Sequence, residues 1–70
     1  MFGFRSDPAS KLRVLMAELD VTVGELADRA QVSRATISAL RSGRRKPNPD
    51  TAYLIARALG VRTSMIWPDR

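Results

Sequence analysis

The chain has 70 residues, of which 12 are Lys or Arg and 7 are Asp or Glu, and its formal net charge is +5. A chain of this length is one small domain with a thin core, and the lack of Cys and His excludes a disulfide framework, a Cys/His zinc site and a catalytic centre built on either residue. The carboxylates are scattered and the serines have no neighbouring base, so we expect no enzyme activity, no metal site and no cofactor.

The first residues, Met1-Phe2-Gly3-Phe4, are too short to form the apolar part of a signal peptide. No apolar run approaches the roughly 20 residues of a membrane span. We therefore expect a soluble, cytoplasmic protein that does not bind a membrane, with residues 1–6 as an N-terminal arm and residues 7–70 as a single domain.

The first predicted helix begins at Pro8, because proline suits the first helical position. Its apolar residues follow the spacing of one helical face: Leu12, Leu15, Met16 and Leu19. The pair Asp20-Val21 is predicted to end this helix.

Residues 22–43 predict two short helices joined by a tight turn. Thr22 and Glu25 form the capping pattern of a helix start. The buried face of this helix has three apolar residues at helical spacing: Leu26, Ala27 and Ala30. Ser33 is predicted to cap the second helix, and Gly43 suits the left-handed conformation that ends it.

In this second helix Ile37 and Leu40 lie three residues apart on the buried side. The other positions are small, polar or cationic and are predicted to point away from the core: Arg34, Ala35, Ser38, Ala39, Arg41 and Ser42. No acidic residue lies between Asp28 and Asp50, although 6 of the 12 basic residues do. A polyanion is the natural partner for such a stretch, and a solvated charged face is the alternative interpretation.

The C-terminal third predicts one more helix and a last short turn. The cluster Pro47-Asn48-Pro49-Asp50 prevents a helix from continuing through it. It also supplies a cap and a proline for the start of the next helix. The apolar face of that helix repeats the same spacing: Ala52, Ile55, Ala56 and Leu59. Gly60 ends it, and Thr63 starts a turn in which Ile66 is expected to point inward. Because no strand-like alternation occurs, we predict an all-α fold, a compact bundle of about five short helices.

Three segments of the sequence carry a recognisable pattern: VSRATIS at residues 32–38, GRRKP at residues 43–47 and IARALGV at residues 55–61. In this order and at these separations, they resemble the Cro and phage-repressor (XRE-type) family of helix-turn-helix regulators. The resemblance extends from Leu12 to Trp67. It implies a lambda-repressor-like DNA-binding domain, a recognition helix at residues 33–42 and double-stranded DNA as the partner.

The resemblance also implies which residues meet bases and which meet phosphates. The base-reading set is Arg34, Ala35, Ser38 and Ala39. Arg34 can contact both acceptors of a guanine, and Ala35 or Ala39 can touch a thymine methyl group. The phosphate-binding set is Thr22, Val23, Ser33, Arg41, Ser42, Arg44, Arg45 and Lys46. Thr22 and Val23 would act through the amides of a helix N-terminus. A phosphate contact or a solvated side chain is the alternative for Arg34, and a flexible cationic loop is the alternative for residues 44–46.

Several positions depart from the family's pattern. Val23 replaces a Gln that often holds a phosphate and a base-reading side chain, so only backbone amides remain there. Gln31 replaces the Gly of the turn, where a left-handed backbone would cost about 1 kcal/mol. Met16 and Arg41 together replace an Arg–Glu ion pair, so no buried charge is left unpaired and Arg41 is expected to reach DNA.

Apolar residues that the core does not obviously need predict a homodimer interface: Phe2, Phe4, Leu54, Met65 and Trp67. The alternative for Trp67 is a lid on the core.

The leading interpretation is a transcriptional regulator of prokaryotic or phage origin. It represses by binding a palindromic operator as a homodimer, and it is associated with the nucleoid when bound. The alternatives are an accessory factor of phage or plasmid recombination, partition or replication, an antitoxin that binds a toxin through the aromatic residues, and a helical domain that binds proteins only.

Overall fold

The computed structural model describes residues 7–67, which form four α-helices and one 3₁₀ turn. The helices are α1 (Pro8–Glu18), α2 (Val23–Ala30), α3 (Arg34–Ser42) and α4 (Pro49–Leu59), and the 3₁₀ turn is Thr63–Met65. Residues 7–67 contain no strand, and none of their helices is long and apolar enough to cross a bilayer. The all-α class is confirmed. The predicted number of about five helices is too high, because the last element closes a single turn through the Ile66 amide and the Thr63 carbonyl (3.0 Å).

The helix starts are set by side-chain caps that the sequence provides. In each α-helix a side-chain oxygen accepts a backbone amide of the first turn, and the four capping residues are Asp7, Thr22, Ser33 and Asn48. Thr22 Oγ1 accepts from the Glu25 amide at 3.1 Å, and Glu25 Oε1 accepts from the Thr22 amide at 3.0 Å. The predicted capping box is therefore confirmed.

The turn between α2 and α3 consists of Gln31, Val32 and Ser33. Gln31 has φ 62° and ψ 39°, so the backbone is left-handed at a residue that is not glycine, at a cost of about 1 kcal/mol. The Val32 amide donates to the Ala27 carbonyl at 3.1 Å, and Val32 packs against the core. This hydrogen bond and this packing hold α3 at a fixed angle to α2.

The core lies where the four helices and the 3₁₀ turn converge. Its five fully buried large side chains are Leu12, Leu26, Ile37, Ile55 and Ile66. Helix α2 packs against α3 and α4, α1 packs against α3, and the 3₁₀ turn packs against α4. The inward faces predicted for α2 and α4 are confirmed, as is the inward position of Ile66. In α1 the prediction fails at Leu19, which is 46% exposed because it follows the last helical residue.

Candidate nucleic-acid interface

Helix α3 presents one polar face to solvent and buries the other between α1 and α2. Arg34, Ala35 and Ser38 are exposed, and they occupy positions i, i+1 and i+4, which lie on one side of a helix. The structure therefore brings three of the four predicted base-reading residues onto one surface.

The prediction that Ala39 points outward is wrong. Ala39 is only 6% exposed and is buried with Ile37 and Leu40. The physical reason is that α3 packs against two helices, α1 and α2, and so needs a wider buried face than Ile37 and Leu40 provide. The Ala39 methyl group is not available to a thymine.

The Arg34 guanidinium lies against the first turn of α2. A methyl group added to Gly24 would lie 3.1 Å from Arg34 Nη2, 3.2 Å from Cζ and 3.3 Å from Nε. The first residue of α3 is thus in contact with the second residue of α2. Gly24 was not among the predicted site residues. The available signal was a glycine inside a capped helix, where its backbone freedom has no use.

The free amides in the first turn of α2 are not the pair that the sequence predicted. The Thr22 amide donates to Glu25 Oε1 at 3.0 Å, so it can serve a phosphate only by leaving that carboxylate. The first two helical residues, Val23 and Gly24, have amides that no carbonyl of the preceding turn can satisfy. These two amides are the ones suited to an anion.

The basic loop that follows α3 is held in place by the end of that helix. Ser42 Oγ donates to the Ala39 carbonyl at 3.0 Å and accepts from the Arg44 amide at 3.3 Å. The Arg44 amide also donates to the Ala39 carbonyl at 3.0 Å. Arg44, Arg45 and Lys46 are all exposed. The Ser42 hydroxyl, which we predicted to bind phosphate, uses its proton to shape this loop.

Arg41 is less available than the sequence predicted. Its side chain is half-buried, and within residues 7–67 its Nε is buried without a hydrogen-bond partner. Only the outer part of the guanidinium can therefore meet an anion.

The Arg41 carbonyl accepts a hydrogen bond from Arg13 Nη1, while Arg13 Nη2 donates to Ser10 Oγ at 3.1 Å. Arg13, which was not among the predicted site residues, thus joins α1 to the end of α3.

The residues predicted to form a dimer interface differ in exposure. Met65 is 56% exposed and Leu54 is 36% exposed, whereas Trp67 is half-buried against the core. Phe2 and Phe4 lie outside the described residues. Tyr53, which we had not predicted, adds a large exposed side chain beside Leu54 on α4.

A capped helix pair with a polar outer face, followed by a basic loop, defines a helix-turn-helix domain. A family model described as helix-turn-helix matches residues 12–66. The chain belongs to this family, in its Cro and phage-repressor (XRE) branch.

One relative is an "Uncharacterized HTH-type transcriptional regulator" of Methanothermobacter thermautotrophicus (strain Delta H). It is 54% identical to this chain over 43 residues, which make up 61% of this chain and 62% of that protein. The chain therefore matches less than two thirds of the length of this relative.

Proposed function

We propose that this protein is a transcriptional regulator that recognises a specific double-stranded DNA sequence and represses by occupying it. The observation that supports this most directly is the exposed face of α3, with Arg34, Ala35 and Ser38 side by side and the basic loop immediately after them. The major groove is wide enough to admit a helix, and the loop then lies beside the phosphates. Such a regulator acts in the cytoplasm, on the nucleoid.

In this proposal the base edges are read by Arg34, Ala35 and Ser38. The phosphates are held by two kinds of group, cationic side chains and helix-start donors: Arg41, Arg44, Arg45, Lys46, Ser33 and the Val23 amide. The side chains of the loop cations Arg44, Arg45 and Lys46 are all exposed. Their positive charge is therefore available to DNA, as is that of Arg34.

Selection from a random pool of duplexes tests the proposal. We expect one enriched motif with two-fold symmetry. If this motif is then found next to promoters in the genome, the protein is a regulator and not a recombination, partition or replication factor. Enrichment of no motif, under salt conditions that permit binding, would contradict sequence-specific recognition.

Arg34→Ala and Arg45→Ala are expected to weaken binding in different ways. Arg34→Ala should cost about 1–3 kcal/mol on the preferred site and relax the choice at one base pair, because a bidentate contact to guanine is lost. Arg45→Ala should weaken binding to all sequences alike, because a phosphate carries no sequence information. Competition with single-base-pair variants measures the difference. An unchanged base preference in Arg34→Ala would assign Arg34 to a phosphate.

We further propose that two copies bind an inverted repeat, meeting through Leu54, Met65, Trp67 and, at the arm, Phe2 and Phe4. A dimer places two recognition helices in successive major grooves, about 34–36 Å apart. In a two-fold interface the same patch serves both chains. Leu54 on α4 and Met65 on the 3₁₀ turn offer exposed apolar side chains for such a contact.

Trp67→Ala is expected to weaken the dimer and to leave each chain able to bind a half-site. Sedimentation of the parent and of Trp67→Ala, with and without an inverted-repeat duplex, measures the assembly. Trp67 also packs on the core, so thermal unfolding of the variant has to be compared with that of Met65→Ala, whose side chain is more than half exposed. One chain per duplex on a site without symmetry would contradict the dimer, and unchanged assembly in Trp67→Ala would place the interface at the Phe2–Phe4 arm.

A further inference from the structure

We infer that Gly24 is a positioning residue for Arg34: its missing side chain leaves the space in which the guanidinium is held before DNA arrives. This inference rests on the proposed function, in which Arg34 reads a base. It assigns to α2 a part in the specificity of DNA binding.

The backbone at Gly24 does not itself require glycine. Among residues 7–67, the glycines with positive φ are Gly43 (82°) and Gly60 (77°), both of which end a helix. Gly24 lies instead in the first turn of α2, where alanine would be the better helix former. The backbone conformation therefore does not explain the absence of a Cβ atom at this position.

The space that a Cβ atom would occupy lies against Arg34. The Cβ position of Gly24 is almost equidistant from Nη2 (3.1 Å), Cζ (3.2 Å) and Nε (3.3 Å) of Arg34. A point in the plane of the guanidinium would lie clearly nearer to its nitrogens than to Cζ, or the reverse, so this point faces the flat side of the group. A real Cβ atom there would be tighter than an ordinary contact, and the guanidinium would have to shift by a few tenths of an ångström.

Contact through the flat side leaves the donors of the guanidinium free. All five N–H groups of arginine lie in the plane of the group and point away from its edge. A guanidinium held by one face against α2 can therefore still present two parallel donors to a guanine. The contact restricts the side chain without using the atoms that recognition needs.

Holding Arg34 in the free protein lowers the cost of ordering it on DNA. Immobilising a long side chain at an interface costs about 0.5–1.5 kcal/mol, which corresponds to about a 2- to 12-fold change in affinity. Gly24 thus raises the affinity for DNA by restricting the Arg34 side chain before binding. This effect depends on the presence of Arg34.

The test combines Gly24→Ala with Arg34→Ala in a double-mutant cycle, measured on the preferred duplex. Gly24→Ala is expected to raise Kd about 2- to 12-fold with no loss of thermal stability, and to leave Kd unchanged when Arg34 is already Ala. An equal loss in the Arg34→Ala background would overturn the inference, as would no loss in the parent background. Failure of the parent to bind any duplex would overturn the proposed function and the positioning role together.

A second measurement needs no DNA. The ¹⁵N heteronuclear NOE of Arg34 Nε should be high in the parent and fall in Gly24→Ala, while Arg45 Nε in the exposed loop serves as the mobile reference in the same spectrum. An Arg34 Nε as mobile as that of Arg45 in the parent would overturn the inference even if DNA binding is sequence-specific.

Discussion

Raising the salt concentration from 50 to 200 mM is expected to weaken binding to duplex DNA by roughly 10³- to 10⁴-fold. Each chain brings five cations in or just after α3: Arg34, Arg41, Arg44, Arg45 and Lys46. If a dimer neutralises about 6–8 phosphates, log K against log salt has a slope of roughly −5 to −7, since each phosphate contributes about −0.9. Titrations of a labelled duplex at four or five salt concentrations give the slope.

Two variants make this measurement specific to the basic loop. Lys46→Ala should reduce the steepness of the slope by about 2 in a dimer, one phosphate per chain. Arg57→Ala removes an exposed cation from α4 and should leave the slope unchanged. A flat salt dependence of the parent would contradict binding to a polyanion, and equal effects of the two variants would contradict the assignment of the loop to phosphates.

The sequence predicted the helix boundaries well, because short-range chemistry sets them. The Thr22–Glu25 capping box, the Ser33 cap and the Asn48 cap each join residues three positions apart, so the pattern is visible without knowledge of the fold. The terminal glycines Gly43 and Gly60 also follow from local backbone preferences. The helix-turn-helix family could be recognised for the same reason.

The sequence did not predict which of the outward-looking residues are in fact covered. Ala39 is buried because α3 packs against α1 as well as α2, and the spacing of Ile37 and Leu40 describes only one of these contacts. The hydrogen bond from Arg13 to the Arg41 carbonyl joins residues 28 positions apart. Such contacts depend on the angle between helices, which no periodicity of one helix reveals.

The same limit applies to the candidate site. Arg34 could be chosen from the sequence as the residue to read a base, since an exposed cation at the first turn of a capped helix is a local feature. Its contact with Gly24 could not, because that contact exists only once the left-handed Gln31 turn has set α2 against α3. The residue that reads a base can thus be predicted from the sequence, whereas the orientation of its side chain depends on the fold.

Ile37→Ala is expected to destabilise the domain more than any exposed substitution in α3. Ile37 is fully buried, and truncation of a buried isoleucine to alanine costs about 2–5 kcal/mol through lost burial and the cavity left behind. A domain of this size has a free energy of unfolding of only about 4–10 kcal/mol. The variant should therefore lose a large part of its stability, with a clear fall in the urea midpoint followed by circular dichroism.

The neighbouring residue provides the matched control, because Ser38 is on the same helix and is exposed. Ser38→Ala should change the free energy of unfolding by less than about 0.5 kcal/mol, while it alters DNA binding at the base pair that Ser38 meets. The Ile37→Ala variant, studied at low temperature where it is still folded, should keep the base preference of the parent, since Arg34, Ala35 and Ser38 are intact. A loss of less than about 1 kcal/mol in Ile37→Ala would contradict the packing of α3 described here. If Ile37→Ala and Ser38→Ala each changed both the stability and the base preference, the buried face of α3 would not serve folding alone and the exposed face would not serve recognition alone.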